Sequence, residues 1–467
     1  MIIFVLFHCL LDGKQFNILL LGLIFICSVL SYIIPAGQYD MTVVNDREVI
    51  DSATYHEVES TPVTFMQLLS AVPRGMTESA QIIFFIFIVG GAFAIIQETG
   101  AIEAGIGSLI RLMRGRTLVI IPVILLLFSL GGAVFGMSEE TIPFIPIFVS
   151  LCIAMGYDSI TGAAIVLCGS AAGFAGAFMN PFTLQVAQGI AELPILSGME
   201  FRIVMYVVYL VVTSAFVMWY ACRVKKDPAK SPMYEFDKSR EDIADLKNMK
   251  AFGGKEKAIL CVFVAAILLL VYGVITWGWY MDEISAVFLG MAIAVAVVAG
   301  MTPNAFAISF GKGMAEIASG ALVVGFARGV LVVLTDGNIL YTILHAAASL
   351  LEKLPSMASA LGMYIFQCLL NFLVPSGSGQ AAVSIPIMAP LGDLVGVTRQ
   401  TACIAFQIGD GLSNVFTPTS GFFMAGLALA KIPWTKWAKW LLPLIGIQYL
   451  LGAVFVAAAQ LMALGPF

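Results

Sequence analysis

The stretch ITGAAIVLCGSAAGFAGAFMNPFTLQVAQGI, residues 160–190, holds no charged side chain. It is long enough to cross a bilayer, which takes about 20 apolar residues. Yet Gly169-Ser170-Ala171-Ala172-Gly173 and then Asn180-Pro181 interrupt it, and Gly and Pro are the residues that loosen or stop a helix. Interrupted backbone at membrane depth survives only where protein buries it or where it lines a wet cavity. A second stretch of this kind, TRQTACIAFQIGDGLSNVFTPTSGFFMAGLALA, occupies 398–430. Two broken spans in one chain set the terms for reading the rest.

Composition agrees. Of 467 residues, 60% are hydrophobic and 11% charged, against about 25% charged in a soluble domain. Mean hydropathy is +0.97. So little polar surface excludes a soluble multidomain enzyme and a disordered chain. A net charge of −5 with few basic clusters argues against nucleic-acid partners. The partner the composition demands is the lipid bilayer. The eight cysteines show neither CxxC nor metal spacing and read as small buried hydrophobes. Residues 2–10 are apolar but lack a basic leader and a cleavage site, so they read as an interfacial stretch before Lys14 rather than a signal peptide.

Apolar runs occur at about 16–36, 79–98, 201–222, 258–277, 284–300, 317–336 and 437–460. With the two broken stretches they make about nine transmembrane helices. Two further apolar pairs, 117–155 and 357–393, are split by polar, Gly-rich tips and read as re-entrant hairpins. With Lys14 inside, 18 of the 24 basic residues fall on the cytoplasmic side and five outside, while Arg328 lies within a span. Ten of them sit in the loop 223–257. This asymmetry fixes a cytoplasmic N-terminus and an outer C-terminus.

The halves align at an offset near 240: Arg74-Gly75-Met76 with Lys312-Gly313-Met314, Ser138 with Ser378, Pro146 with Pro386, Gly156 with Gly396, and Gly169 with Gly409. In the topology above the copies are inverted, with 258–277 unpaired. Inverted repeats with interruptions at matching places predict a secondary transporter whose site lies near the midplane. The expected fold is therefore an all-α polytopic membrane protein of two inverted repeats. Its divisions are 1–116 (spans and a first surface arm), 117–222 (first transport half), 223–257 (cytoplasmic loop), 258–356 (spans and a second arm) and 357–467 (second transport half). The arms, 101–115 and 338–354, read as surface helices that either link a fixed part to a moving part or merely connect.

Four elements converge on the expected site. The first tip offers Ser138, Glu139, Glu140 and Thr141, and the first break Asn180. The second tip offers Ser376, Gly377, Ser378, Gly379 and Gln380, and the second break Asp410, Asn414 and Thr417. Each break frees a helix N-terminus, suited to a carboxylate, and a C-terminus, suited to a cation. A carboxyl at this depth costs about 2.5–3.5 kcal/mol even on the mildest scale, so it marks function or a partner. Glu139 and Glu140 fit either substrate, proton or ion contact or plain helix capping. Asp410, within Gly409-Asp410-Gly411, has no capping role. Ser138, Ser378, Asn180, Asn414 and Thr417 can bind substrate or Na⁺, or glue helices together. Arg328 reads first as a structural ion pair outside this centre. No metal site follows from the three histidines.

At Pro35-Ala36-Gly37-Gln38-Tyr39, Gly136-Met137-Ser138-Glu139-Glu140-Thr141, Pro375-Ser376-Gly377-Ser378-Gly379-Gln380 and Gly409-Asp410-Gly411-Leu412-Ser413-Asn414, the sequence resembles the YfcC-type branch of the DcuC/ArcD-like transporters, in the ion-transporter superfamily. The resemblance covers nearly the whole chain. It implies a homodimer working as an elevator, with a scaffold and a mobile transport domain, in the bacterial cytoplasmic membrane. Relatives that use Na⁺ carry Ser-Asn-Thr triplets at the tips, and this chain departs with Ser138-Glu139-Glu140 and Ser378-Gly379-Gln380. Branch members are often named basic amino acid or arginine/ornithine antiporters; other relatives carry C4-dicarboxylates. The expected function is exchange of a cationic amino acid, with no cofactor; Na⁺- or proton-coupled carriage of small carboxylates is the alternative. An intramembrane aspartyl protease using Asp158 and Asp410 is the enzyme alternative; its motif fits poorly because position 407 is Gln, and Asp158 is expected at the cytoplasmic surface.

Overall fold

A computed structural model describes residues 16–465 apart from 45–46, 52, 102–103, 105–116, 181, 241–252, 278 and 280. The chain opens with α1 (Phe16–Leu30). Four short strands follow, β1 (Gly37–Gln38), β2 (Met41–Val44), β3 (Arg47–Ile50) and β4 (His56–Glu57). They form two small antiparallel sheets, β1–β4 and β2–β3, the one departure from the all-α expectation. Next come α2 (Phe65–Glu78), α3 (Ala80–Thr99), α4 (Ile120–Leu130), α5 (Ile145–Ala154), α6 (Ser159–Ala175), α7 (Leu184–Ile190) and α8 (Met199–Lys226). The second half runs from α9 (Tyr234–Lys238) and α10 (Gly254–Trp277) through α11 (Met281–Ala299), α12 (Pro303–Asp336) and α13 (Leu340–Leu351). It ends with α14 (Ser356–Leu373), α15 (Gly377–Val395), α16 (Arg399–Ser413), α17 (Gly421–Leu429) and α18 (Trp434–Leu461).

Among the described residues, five helices are long and apolar enough to cross a membrane: Ala80–Thr99, Met199–Lys226, Asp282–Ala299, Ser356–Leu373 and Trp434–Leu461. Ser356–Leu373 was expected only as a hairpin limb. Val324–Asp336 and α13 make a sixth if joined, but they bend by 78°, so the second arm is a distinct helix. The first arm lies almost wholly outside the described residues.

The element order recurs. A helix capped by threonine begins a long segment in each half: Thr64 accepts from Gln67 N and Thr302 from Ala305 N. In the first half the segment splits into α2 and α3 at Ser79; in the second, α12 runs unbroken. The two segments cross where no side chain fits. A Cβ on Gly75 would lie 2.4 Å from the Gly325 carbonyl, and one on Gly313 would lie 2.5 Å from that of Gly90. Such small-residue contacts let helix backbones approach in lipid, where dispersion replaces the hydrophobic drive.

The broken segments form the centre of the second layer. Every residue of α6 is buried except Phe174, and α16 is buried from Gln400 onward. A helix apolar on all sides, as α6 is, belongs inside a bundle, whereas α16 takes polar groups, Gln400, Gln407 and Asp410, inside with it. Gly173 meets α4, where a Cβ would lie 2.0 Å from the Ser129 carbonyl; Gly411 meets the end of α6, 2.5 Å from Ala175 N. Helix α18 seals the second break, because Trp437 Nε1 donates to the Val415 carbonyl and Trp434 Nε1 to that of Phe416, both at 3.0 Å.

Asp158, expected at the cytoplasmic surface, is covered by protein and 3% exposed. It caps α6 by accepting from Thr161 N (2.9 Å) and Thr161 Oγ1 (2.6 Å). Its other oxygen accepts from Tyr220 (2.5 Å) and Ser231 (2.6 Å). The segment after α8 folds over it, and Asp237 Oδ2 accepts from Ser159 N at 2.9 Å. Arg240 straps this segment down by pairing with Asp237 (2.9 Å) and donating to the Ala430 carbonyl (2.5 Å).

Candidate functional site

Between the two layers lies a cavity of about 290 Å³. One wall comes from the first hairpin tip and the α6 break, a second from the second tip and the α16 break, and a third from α2, α3 and α12. Of the expected residues, Ser138, Glu139, Glu140, Ser376, Gly377, Ser378, Asp410 and Asn414 line it.

The first tip is built by a turn that only glycine takes easily. The chain leaves α4 through a π turn over Gly131–Phe135 and reverses at Gly136, whose φ is +69°. A Cβ there would also lie 2.7 Å from Asn180 Oδ1. Ser138 Oγ then donates to the Glu139 carboxylate. Ser138 N donates to Glu140 Oε2 at 3.0 Å, which gives Glu140 the capping bond foreseen as one of its two readings. Both acids nonetheless line the cavity. Ser170 fastens the tip by donating to the Met137 carbonyl at 2.6 Å.

The second tip begins α15, with Ser376 accepting from Gly379 N. Across from it, Asp410 is wholly buried within the protein. Its Oδ1 accepts from Asn371 Nδ2 (3.1 Å) and Asn414 Nδ2 (2.8 Å). Among the described residues its Oδ2 has no hydrogen-bond partner, and a Cβ on Gly377 would lie 3.3 Å from that oxygen. The side-chain oxygens of Thr183, Asn414 and Thr419, which also line the cavity, are likewise buried without partners. Buried oxygens left unmatched are costly, about 1–3 kcal/mol each; Asp410 Oδ2 and Asn414 Oδ1 can take only hydrogen-bond donors or a cation, while the two threonine hydroxyls can donate or accept.

The other expected residues support the walls rather than line them. Thr141 is tied to the Ser138 carbonyl at 2.6 Å. Asn180 accepts from Phe182 N (2.9 Å) and Thr183 N (3.0 Å) and donates to the Gly132 carbonyl (3.0 Å). Gln380 is absorbed by Gln367 and Asn371. Gly379 serves the Ser376 cap, and Thr417 N bonds the Ser413 carbonyl at 2.8 Å. Pro181 lies outside the described residues.

The third wall was not foreseen. Arg328 was expected away from the centre, yet both it and Glu78 line the cavity. Their ion pair, Nε to Oε2, measures 2.8 Å, so the expected partnership exists but in the site's own wall. Glu78 stands at the α2–α3 break; an acid there, opposite the lone arginine of a span, was the available signal. The lining thus holds four carboxyls, Glu78, Glu139, Glu140 and Asp410, and one guanidinium. Asp158 is not part of it.

A mainly helical chain with several spans and a charged cavity between two layers is a membrane carrier in outline, and the comparisons agree. The chain belongs to the DcuC family: its model, described as "C4-dicarboxylate anaerobic carrier", matches residues 14–461. It is therefore a multi-pass membrane transporter and not an enzyme by family. Over 475 residues it is 38% identical to "Putative basic amino acid antiporter YfcC" of Escherichia coli K12, covering 93% of this chain and 94% of that one. It is 30% identical over 410 residues to an "Uncharacterized protein" of Haemophilus influenzae, covering 86% and 80%. Among solved structures it is similar to the Alcanivorax borkumensis YdaH transporter (TM-score 0.43, 15% identity, covering 98% and 100%). MtrF of Neisseria gonorrhoeae is a second (TM-score 0.44, 16% identity, covering 95% and 94%).

Proposed function

We propose that this protein exchanges basic amino acids, of the arginine and ornithine type, across the bacterial cytoplasmic membrane. The observation that carries the reading is the charge balance of the cavity: four carboxyls face one guanidinium, which Glu78 already neutralises. Asp410 Oδ2 and its neighbouring oxygens await donors. A side-chain cation meets this need, and the substrate's carboxylate has the N-terminus of α15 at hand. The name of the Escherichia coli relative supports the same class.

The mechanism we infer is the elevator that the family resemblance implies. The hairpins and broken helices, 117–222 and 357–467, move as a transport unit against the scaffold of 1–116 and 258–356 in each subunit of a homodimer. Bound cation offsets the acids, so the loaded unit crosses and the empty one does not, which gives exchange. The N-terminus and the loop 223–257 are cytoplasmic in this scheme, and the C-terminus is outside.

The second reading is Na⁺- or proton-coupled carriage of a C4-dicarboxylate. The family description and Arg328 in the wall favour it. A thermal-stability panel on the purified protein separates the two, because a ligand that binds the folded state raises its stability. Arginine, ornithine or lysine should raise the Tm, and succinate and fumarate should not; the opposite pattern overturns the first reading.

A further inference from the structure

Outside the cavity lining, at the start of α8, Arg202 is fully buried. An arginine guanidinium keeps its charge inside proteins. Its one hydrogen bond among the described residues runs from Nη2 to Gln400 Oε1 at 3.2 Å, while Nε and Nη1 have no partner. No carboxylate among the described residues forms an ion pair with it. The two acids nearby in sequence are otherwise placed: Glu192 pairs with Arg399 at 2.7 Å, and Glu200 is exposed.

The position sharpens the imbalance. Gln400, which receives Arg202, also donates to Ser197 Oγ at 2.7 Å and packs against Gly198, the N-cap of α8. The guanidinium head therefore curls back to the start of its own helix. That end carries positive partial charge from the aligned peptide dipoles. Its first-turn N–H groups have no acceptor within the helix, and no side chain caps α8. A cation buried at the positive end of a 28-residue helix calls for a negative charge.

We propose that the Arg202 guanidinium and the N-terminus of α8 together bind a small monovalent anion of the chloride class. Arg202 is fully buried, so a monatomic ion, the smallest anion, fits beside it better than a carboxylate or phosphate. The site differs from the transport cavity, none of whose lining residues belongs to it, and it holds whatever the transported substrate is. The anion neutralises Arg202 and staples the start of α8 to the start of α16 through Gln400.

The test uses the purified full-length protein at constant ionic strength, with gluconate replaced stepwise by chloride or bromide. The wild-type Tm should rise and saturate. Arg202→Gln should lose that rise and should be no less stable than wild type in gluconate, since it removes an uncompensated buried charge. A purely structural arginine would instead destabilise equally in both salts when replaced. If Arg202→Gln does not fold, bromide-soaked wild-type crystals decide, with an anomalous peak expected within hydrogen-bond reach of Nε and Nη1. A wild-type Tm indifferent to chloride and bromide, with no bromide peak at Arg202, overturns the proposal.

Discussion

Asp410→Asn separates charge from shape at the centre of the cavity. The asparagine carbonyl can keep both bonds that Asp410 Oδ1 now accepts, from Asn371 at 3.1 Å and Asn414 at 2.8 Å. Its amide nitrogen takes the place of Oδ2, which has no partner to lose. Folding should therefore change by less than about 1 kcal/mol. Binding should change far more. A substrate cation about 4 Å from a carboxylate gains about 4 kcal/mol at an effective dielectric near 20. The desolvation of that carboxylate returns part of the gain, which leaves about 2–4 kcal/mol. That corresponds to roughly 30–1000-fold in Kd. The assay is calorimetric titration of wild type and variant with arginine and with citrulline, its neutral isostere. Arginine should weaken by that factor while citrulline barely moves. An arginine Kd that shifts less than about threefold, or equal losses for both ligands, refutes the charge argument.

Glu78→Gln leaves Arg328 unpaired in the cavity wall and should weaken arginine binding about tenfold. The double variant Glu78→Gln/Arg328→Gln should recover most of the loss, and the titration that finds the double variant worse than the single one rejects a repulsive role for Arg328. Because both partners are about 40% exposed, neither variant should alter stability by more than about 1 kcal/mol. Gly411→Ala drives a Cβ to 2.5 Å from Ala175 N, a backbone atom that cannot swing away, and should cost about 1–3 kcal/mol; Gly290→Ala, with nothing within 4 Å, is the neutral control in the same melting experiment. Burial holds the Asp237 carboxyl above its ordinary 3.8. Its proton is therefore bound more tightly in the folded protein, so its contribution to stability is fullest at low pH and declines as pH rises through the folded pKa. Asp237→Asn should flatten that decline in melts across the acidic range, and an unchanged slope would exclude Asp237 as its source.

The membrane fold was legible in the sequence because the bilayer imposes strong rules. Uncharged runs must be helical, and an interrupted run must be sheltered by protein, although α6 runs through Gly169–Gly173 and α16 through Gly409–Gly411, so that the interruptions come only after Ala175 and Ser413. The tips and breaks were legible for the same reason, and Ser138, Glu139, Asp410 and Asn414 do meet at one cavity. Residue type alone could not tell a lining side chain from a supporting one. Asn180 and Gln380 resemble Asn414 in chemistry, but their hydrogen bonds are consumed by backbone and neighbouring amides. Contacts across long sequence separations were beyond reach. Glu78 and Arg328 lie 250 residues apart, and only the glycine-lined crossing of α2 with α12 brings them together. The cover over Asp158 could not be foreseen because Ser231 and Asp237 come from a loop more than 70 residues away.

The central claim is exchange of cationic amino acids through the acidic cavity, and counterflow tests it most directly. Proteoliposomes loaded with unlabelled ornithine should accumulate external labelled arginine transiently, and empty vesicles or Asp410→Asn vesicles should not. Arginine uptake indifferent to internal ornithine, or counterflow driven by internal succinate instead, would contradict the account.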